Sequence, residues 1–437
     1  MPDPRTEAVR LLTKFEKDAS YSAIALSEAL KNIDFADSRD VSFAVSLVYG
    51  VLEHKITLDY NISLYLTSSV KKLKPVVLNC LRIGAYQLLY LDKVPQRAAV
   101  NESVRIVKKL GFSFASGLVN AVLRKIASSG LILPDDSNQE EYLSVRFSVD
   151  LSIARMLIRD YGFEKAQNIL DVFSGRRPIY IRHNTLRCTG EQLKASLEAD
   201  GVSFKETELE GCISISDTGD ISRLSAYKNG YFHVQDMASQ ICCKLLGAKG
   251  GERIIDCCAA PGGKSFTVAQ YMENCGSLIS CDMYEHKISL INSGAKRLGI
   301  TVIDAVCSDA VRLNTLYSEA DRVLCDVPCS GIGVMGRKPE IRYKNEADFS
   351  SLPEIQKNIL YSCSEMVRKG GVLIYSTCTL NKKENEEICE GFLRDHPDFH
   401  ISDDADYKSL TDRFITFLPD KNGSDGFFIA KFIRGSV

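Results

Sequence analysis

Apolar and polar positions along this chain follow different periods in three successive stretches, and each stretch predicts a different kind of structure. From residue 4 to about 130 the period is helical. In Pro75–Leu91 the apolar residues Val77, Leu81, Ala85, Leu88 and Leu89 fall on one face. Pro75 suits the first turn, where its missing N–H costs nothing. Pro95 stops that segment, Gly111 closes a helix over about 98–109, and Gly130 closes another over about 115–128. Residues 131–145 read as a polar connector and the expected boundary. Between 146 and 235, helical stretches (151–170, 190–200) mix with short strand-like runs at Ile179–Arg182 and Cys212–Ile215. From about 236 onward, apolar strands alternate with helices, which is the pattern of a parallel doubly wound sheet. The fold class is therefore multidomain, α and α/β. An all-helical domain is expected over 1–135, a small α+β module over 146–235, and a Rossmann-like domain over 236–437. Gly426–Phe432 closes the last as an antiparallel edge strand.

Within the third region the strands can be read one by one. Ile254 and Ile255 end in Asp256, and the turn Cys257-Cys258-Ala259-Ala260-Pro261-Gly262-Gly263-Lys264-Ser265 leads into a helical stretch, Phe266–Met272. A strand, a glycine-rich turn and a helix in that order form a cofactor cradle. No Cβ at Gly262 or Gly263 keeps a ligand away from the backbone, and the helix start offers unpaired amides and a positive dipole end. This turn has neither the dinucleotide G-x-G-x-x-G nor the phosphate-loop G-x-x-x-x-G-K-[ST] spacing. That favours a nucleoside cofactor without a pyrophosphate, with S-adenosyl-L-methionine (SAM) leading; the plain alternative is an ordinary βα turn. The second strand, Ser277–Cys281, ends in Asp282, 19 residues after Gly263, where a carboxylate can accept both ribose hydroxyls. The third, around Ile303–Val306, leads to Asp309, placed to meet an adenine amino group. The fourth, Arg322–Asp326, runs into Cys329, and the fifth, Gly371–Ser376, into Cys378. Ligands bind outside the carboxyl ends of such strands, so all these groups should converge there. Taken singly, each Asp could equally be a helix cap.

Composition narrows the class. The chain has 437 residues, 45% apolar and 25% charged, as expected of a globular protein, and no run approaches the length of a membrane span. The start, Met1–Glu7, has no apolar core of a signal peptide, so a cytoplasmic protein is expected. Its 15 cysteines then read as reduced thiols, and with no Cys-x-x-Cys pair and six histidines no metal site is expected. The Cys242-Cys243 and Cys257-Cys258 pairs, Cys281, Cys307 and Cys325 read as small core residues. Charge is uneven. Residues 1–130 carry 18 Lys/Arg against 12 Asp/Glu, and within 71–130 eleven basic residues face only Asp92 and Glu102. That is the footprint of a nucleic-acid-binding face, or else a solvated helical surface. Arg337, Lys338 and Arg342, after the fourth strand, could grip phosphate or be solvated.

Two cysteines and an aspartate at one face of a cofactor cradle pose a chemical question. Cytosine C5 is a poor nucleophile; a thiolate adding at C6 pushes electron density onto it through a covalent intermediate. A carboxyl near N3 and the exocyclic amine can orient the base and steady the developing charge. A base must afterwards take the C5 proton so that the thiol can leave. The residues alone leave open which cysteine attacks and which assists release.

Asp256-x-Cys-Ala-Ala-Pro-Gly-Gly-Lys264, Asp326-x-Pro-Cys-Ser-Gly331 and Tyr375-Ser-Thr-Cys378 resemble the motif set of the RNA cytosine-C5 methyltransferases, the Sun family. Val94-Pro95 through Val104 and Val119–Arg124 resemble a NusB-type helical RNA-binding domain, and Arg182–Leu186 with Val234–Asp236 resemble the family's pre-catalytic module. The chain departs from the family pattern at Val149–Ser152 and has no Trp. The resemblance implies a SAM-dependent methyltransferase acting on one cytosine, of the 967 type, in 16S rRNA. It implies that Cys258, Ala259, Ala260, Pro261, Gly262, Gly263, Lys264, Asp282, Asp309 and Asp326 bind SAM. Cys378 would be the nucleophile, Cys329 would help release the product, and Lys264 and Asp326 would lie near the base. Small-subunit rRNA is then the partner of a monomer, with no DNA or membrane. The alternatives are another rRNA or tRNA target, a SAM enzyme of the same fold acting on DNA, protein or a small molecule, and a non-catalytic RNA-binding or antitermination factor. Paired cysteines argue against the second, since N- or O-methylation needs no thiol, and intact Asp326, Cys329 and Cys378 argue against the third.

Overall fold

The helical period at residues 75–91 becomes helix α4, Pro75–Tyr90, with Pro75 in its first turn. It is buried nearly all round through its middle, from Val77 to Ala85, so it forms the centre of a bundle rather than its surface. The computed structural model describes residues 2–18, 29, 33, 35, 37–175, 177–411, 413–419 and 423–436. These divide into two units, the first built from Met1–Ser174 with Arg337–Glu346, the second from Gly175–Gly336 with Ala347–Val437.

In the first unit α1 (Pro4–Asp18), α2 (Ser38–Glu53) and α3 (Lys55–Ser63) precede α4, and α5 (Gln96–Lys109) and α6 (Ser116–Ser129) follow it. Val9, Leu12, Leu47, Leu58, Leu81, Val107 and Leu123 fill one core. Each such side chain contributes roughly 1.5–3 kcal/mol on leaving water. Arg82 lies inside, 4% exposed, donating from Nε and Nη2 to Asp59 (both 2.7 Å) and from Nη1 to Glu16 (2.5 Å). It is therefore not part of a basic surface. The other ten basic residues of 71–130 are exposed.

The connector expected over 131–145 is partly helical: α7 spans Gln139–Phe147, with the Asn138 side chain accepting from Glu141 N at its start. The single helix expected over 151–170 is two, α8 (Leu151–Tyr161) and α9 (Phe163–Phe173), broken where Gly162 takes φ 78°. At the departure from the family pattern, Ser148 is left-handed, Val149 is fully buried and Asp150 caps α8. Arg342 neither grips phosphate nor meets solvent. It is 4% exposed and donates to Phe147 O (2.8 Å) and Phe173 O (2.9 Å), where two helix ends leave carbonyls without helical partners. Arg337 is half-buried and Lys338 exposed.

The second unit opens with a four-stranded antiparallel sheet of β1 (Ile179–His183), β2 (Ser203–Glu206), β3 (Cys212–Ser216) and β4 (Phe232–Val234), in the order β2-β3-β1-β4. Helix α10 (Gly190–Ala199) packs Leu193 and Leu197 against Ile181, Ile213 and Phe232. Then α11 (Met237–Leu246) leads into β5 (Arg253–Asp256), α12 (Gly263–Tyr271), β6 (Ser277–Asp282), α13 (Glu285–Leu298), β7 (Ile303–Cys307) and β8 (Ala320–Asp326). After α14 (Leu352–Met366) come β9 (Val367–Thr377), α15 (Glu386–Asp395), β10 (Phe399–Ile401), β11 (Ile415–Phe417) and β12 (Phe427–Arg434).

The large sheet runs β10-β12-β9-β8-β5-β6-β7, with β11 paired to β12. From β9 to β7 all pairs are parallel; β12 is antiparallel to β9. The closing strand is antiparallel as expected but not outermost, because the short β10 and β11 pair along its other side. Alternate residues feed the two faces: Ile254, Leu324 and Ile374 enter one core, while Ile255, Val323 and Leu373 enter the other. Burial on both sides explains why these strands read as continuous apolar runs. Their carboxyl ends line up, with Asp256 opposite Ser280 and Leu324, Asp282 opposite Cys307, and Asp326 opposite Ser376.

Candidate active site

The turn after β5 is pinned on both sides. Cys257 N donates to Leu324 O (2.9 Å) and Ala259 N to Cys281 O (2.7 Å), so the loop is fastened to β8 and β6 at once. The Ala260–Pro261 peptide is cis. Gly262 takes φ 108°, and a Cβ there would stand 2.4 Å from the Phe266 ring, so both conformation and space require glycine. At Gly263, where α12 begins, a Cβ would meet open space, and the first amides of the helix have no partner within it. The lip of the cradle is therefore open beside N–H donors.

Beneath it, Asp256 is 1% exposed and accepts from Ser265 Oγ (2.7 Å), which in turn accepts from Ser280 Oγ (2.8 Å). Burial pushes the Asp256 carboxyl up to about 7, outweighing the Ser265 hydrogen bond, and the nearby Asp326 charge adds to the rise. Asp282, 7% exposed, accepts from Tyr284 N (3.2 Å) and pairs with Lys287 (3.4 Å). Asp309 caps a 3-10 turn by accepting from Val311 N (3.1 Å), so its helix-capping role is realised. Both lie along the sheet's carboxyl edge beyond β5. Asp282 ends the strand two places from β8, about 10 Å away at the usual strand spacing.

On the other side of β5 a second cluster forms. Lys264 Nζ donates to Asp326 Oδ2 (2.6 Å), Ser376 Oγ donates to Oδ1 (2.8 Å), and the ammonium lies 5.1 Å from the Phe427 ring centroid. Burial would lower the Lys264 pKa, but the Asp326 carboxylate overrides it and the amine is held protonated. Cys329 Sγ and Cys378 Sγ are 3.2 Å apart. The hydrogen bond to Cys378, then burial and the charges of Cys378, Glu384 and Asp326, raise Cys329 well above a normal thiol, so it holds its proton near neutral pH. The loop after Cys329 is held against the Cys378 turn, Gly333 N donating to Cys378 O (3.0 Å), and a Cβ on Gly333 would stand 2.0 Å from Gly426 O.

The expected residues thus fall into two groups on one sheet edge. Cys258 to Lys264 form the cradle, with Asp282 at the end of β6 and Asp309 just after β7 along the same edge, while Lys264, Asp326, Cys329 and Cys378 gather at the ends of β8 and β9. Ser265, Ser376 and Phe427 were not foreseen. Ser265 and Ser376 stand inside or beside the quoted motifs; nothing in the sequence singles out Phe427. Cys242, Cys243, Cys257, Cys281 and Cys325 are buried as expected, whereas Cys307, expected in the core, is exposed because it ends β7 at the sheet margin. All 15 cysteines are free thiols, and among the described residues no group of side chains is arranged to hold a metal ion. Nor is any single described helix long and apolar enough to cross a membrane.

Residues 243–433 match the family described as 16S rRNA methyltransferase RsmB/F, and residues 2–128 match the NusB family. The probable ribosomal RNA small subunit methyltransferase B of Bacillus subtilis (strain 168) is 35% identical over 441 residues, 97% of each chain. The chain belongs to the RsmB/F family of rRNA methyltransferases. Its fold extends the same likeness. The crystal structure of PH0851 superposes with a TM-score of 0.82 at 25% identity, covering 99% of both chains. A methyltransferase homolog protein from Pyrococcus horikoshii matches 67% of this chain and 97% of its own at a TM-score of 0.59 and 25% identity. Family membership favours a methyltransferase over a non-catalytic RNA-binding or antitermination factor, and the helical region is the family's NusB-like part.

Proposed function

We propose that the protein transfers a methyl group from SAM to C5 of one cytosine in 16S rRNA, of the 967 type, through a covalent bond between Cys378 and C6. The observation that carries this reading is the pair of thiols, 3.2 Å apart, beside the Lys264–Asp326 ion pair. SAM fits the cradle by chemistry: the open glycine lip with its amide donors would hold the methionyl group, and the Asp282 carboxylate at the end of the next strand would accept the ribose hydroxyls. When bound, SAM supplies an electrophilic methyl on a sulfonium.

The chain's own groups do the rest. Cys378 Sγ adds to C6, which turns C5 into a nucleophile. Asp326, fixed by Ser376 and Lys264, faces N3 and the amine, and the Lys264 ammonium stabilises charge gathering on the ring. Once C5 carries the methyl, its proton must leave before the C6–S bond can break. Cys329 is suited to that transfer. The first cause of its raised proton affinity is Cys378 itself, and this weakens once the Cys378 sulfur is bound to carbon; Cys329 then releases its own proton to solvent, and the thiolate takes the C5 proton. The helical region 1–135 and the module 146–235 would hold the RNA, the ten exposed basic residues supplying phosphate contacts.

The test is methylation of small-subunit rRNA with labelled SAM, followed by mapping of the modified base. Label is expected at C5 of a single cytosine, and Cys378→Ala should abolish it while SAM still binds. Label on another atom, or full activity of that variant, would sink the assignment.

A further inference from the structure

A buried strut of two consecutive residues stands behind the two thiols. Glu384 is fully buried. Its Oε2 accepts from Ser330 N (2.9 Å) and Gln356 Nε2 (2.9 Å), and its Oε1 from Asn381 Nδ2 (3.0 Å). Gln356 Nε2 also donates to Pro328 O (3.0 Å), so both neighbours of Cys329 are tied to Glu384, one directly and one through Gln356. Asn385, also fully buried, does the same for the other cysteine: it accepts from Thr377 Oγ1 (2.6 Å) and donates to Thr379 O (3.0 Å). The two halves are stitched together by the Ser330 and Thr379 hydroxyls (2.6 Å) and fastened to β9 by the Tyr375 hydroxyl on Glu384 O (2.6 Å).

The geometry points to Glu384 and Asn385 as positioning residues, a clamp in which Glu384 aims Cys329 for release and Asn385 aims Cys378 for attack. The inference rests on the roles assigned to the two cysteines above. Three N–H donors meet one carboxylate that has no donor of its own, so a glutamine at 384 must turn its own N–H₂ towards at least one of them. Turned to Ser330 N and Gln356 Nε2, it sets donor against donor; turned to Asn381, it leaves those two a neutral acceptor in place of a charged one, and either way the hold on the segment carrying Cys329 weakens. Asn385 must donate and accept at once, which aspartate cannot do.

The experiment uses the full chain, small-subunit rRNA and labelled SAM, and follows formation and decay of the protein–RNA adduct separately. Glu384→Gln should leave single-turnover methyl transfer within about three-fold of the parent while the adduct decays about ten-fold more slowly. Asn385→Asp should do the opposite, slowing adduct formation about ten-fold. A role only in stability would lower the melting temperature and move both steps alike, and that result overturns the inference. Where Glu384→Gln does not fold, Gln356→Met removes the tie to Pro328 and should also lengthen the adduct's life; an unchanged lifetime counts against the clamp. Cys329→Ala separates the two levels of argument. If it traps no adduct, the cysteine roles fail and the clamp with them; if it traps one while neither Glu384→Gln nor Gln356→Met prolongs it, only the clamp fails.

Discussion

Asp256 carries the sharpest pH prediction in the molecule. Its carboxyl is 1% exposed and is raised from 3.8 to about 7, with burial as the main cause. In the unfolded chain it ionises near its ordinary value, so between about pH 4 and about pH 7 the folded state holds a proton that the unfolded state has lost. Stability is then complete below the unfolded value and falls as pH rises through that window, levelling off above the folded value. The window spans about three pH units at about 1.4 kcal/mol each, or about 4 kcal/mol in all. Asp256→Asn keeps an oxygen to accept from Ser265 but cannot ionise, so it should escape the loss. The chain contains two units, so global unfolding is a poor gauge. Hydrogen exchange of amides in β5 and α12 reports the relevant opening. Because intrinsic exchange rates cancel in the comparison, the variant's protection relative to the parent should rise about a hundred-fold from pH 5 to pH 7 and then flatten. A ratio that stays constant across that range would refute the buried, protonated carboxyl.

Cys329→Ala should allow attack and methyl transfer but stall elimination, lowering turnover by roughly 10²–10⁴-fold; an RNase-sensitive, slowly migrating adduct on a denaturing gel checks it. Asp282→Ala should weaken SAM binding about ten-fold or more, since a charged acceptor for two hydroxyls is lost; unchanged affinity by calorimetry counts against its ribose role. Arg82→Met should destabilise the first unit by about 3–5 kcal/mol, because Asp59 and Glu16 would face each other without their shared cation; a melting temperature within a degree of the parent would show that the carboxylates are relieved by solvent.

What the sequence revealed, and what it hid, follows from which interactions leave a period or a motif. The parallel sheet was legible because two-sided burial forces unbroken apolar runs such as Val323–Cys325, and strand ends announce themselves by the Asp or Cys that follows. The break at Gly162 was not, since a single glycine inside a helical period can be tolerated or can end the helix, and only the packing of α8 and α9 decides between these. The order of the last strands was hidden for a similar reason: β10 and β11 have three residues each, too few to show a period, yet they move β12 from the edge to the interior. Charged residues misled most. Arg82 and Arg342 count as surface by type, and only burial beside two carboxylates or two helix-end carbonyls reverses that reading.

The same limit explains why the cysteines could be found from sequence while the residues that aim them could not. A reacting atom must stand at a strand end, and a strand end is a place the sequence can name. Its support comes from wherever the chain next passes behind it: Gln356 in α14, Asn381 and Glu384 before α15, Ser376 one position from Thr377. None of these shares a helical face or strand register with Cys329, so no periodicity links them to it. Each is nevertheless buried and hydrogen-bonded to the Cys329 loop, to Glu384 or to Asp326, where an unmet donor or acceptor costs about 1–3 kcal/mol. A sheet edge dense in buried side-chain hydrogen bonds is an expensive way to terminate strands, and a fold that needed only stability would close them with apolar residues. Holding two thiols 3.2 Å apart next to a lysine–aspartate pair is a geometric requirement that apolar packing, which lacks direction, does not meet.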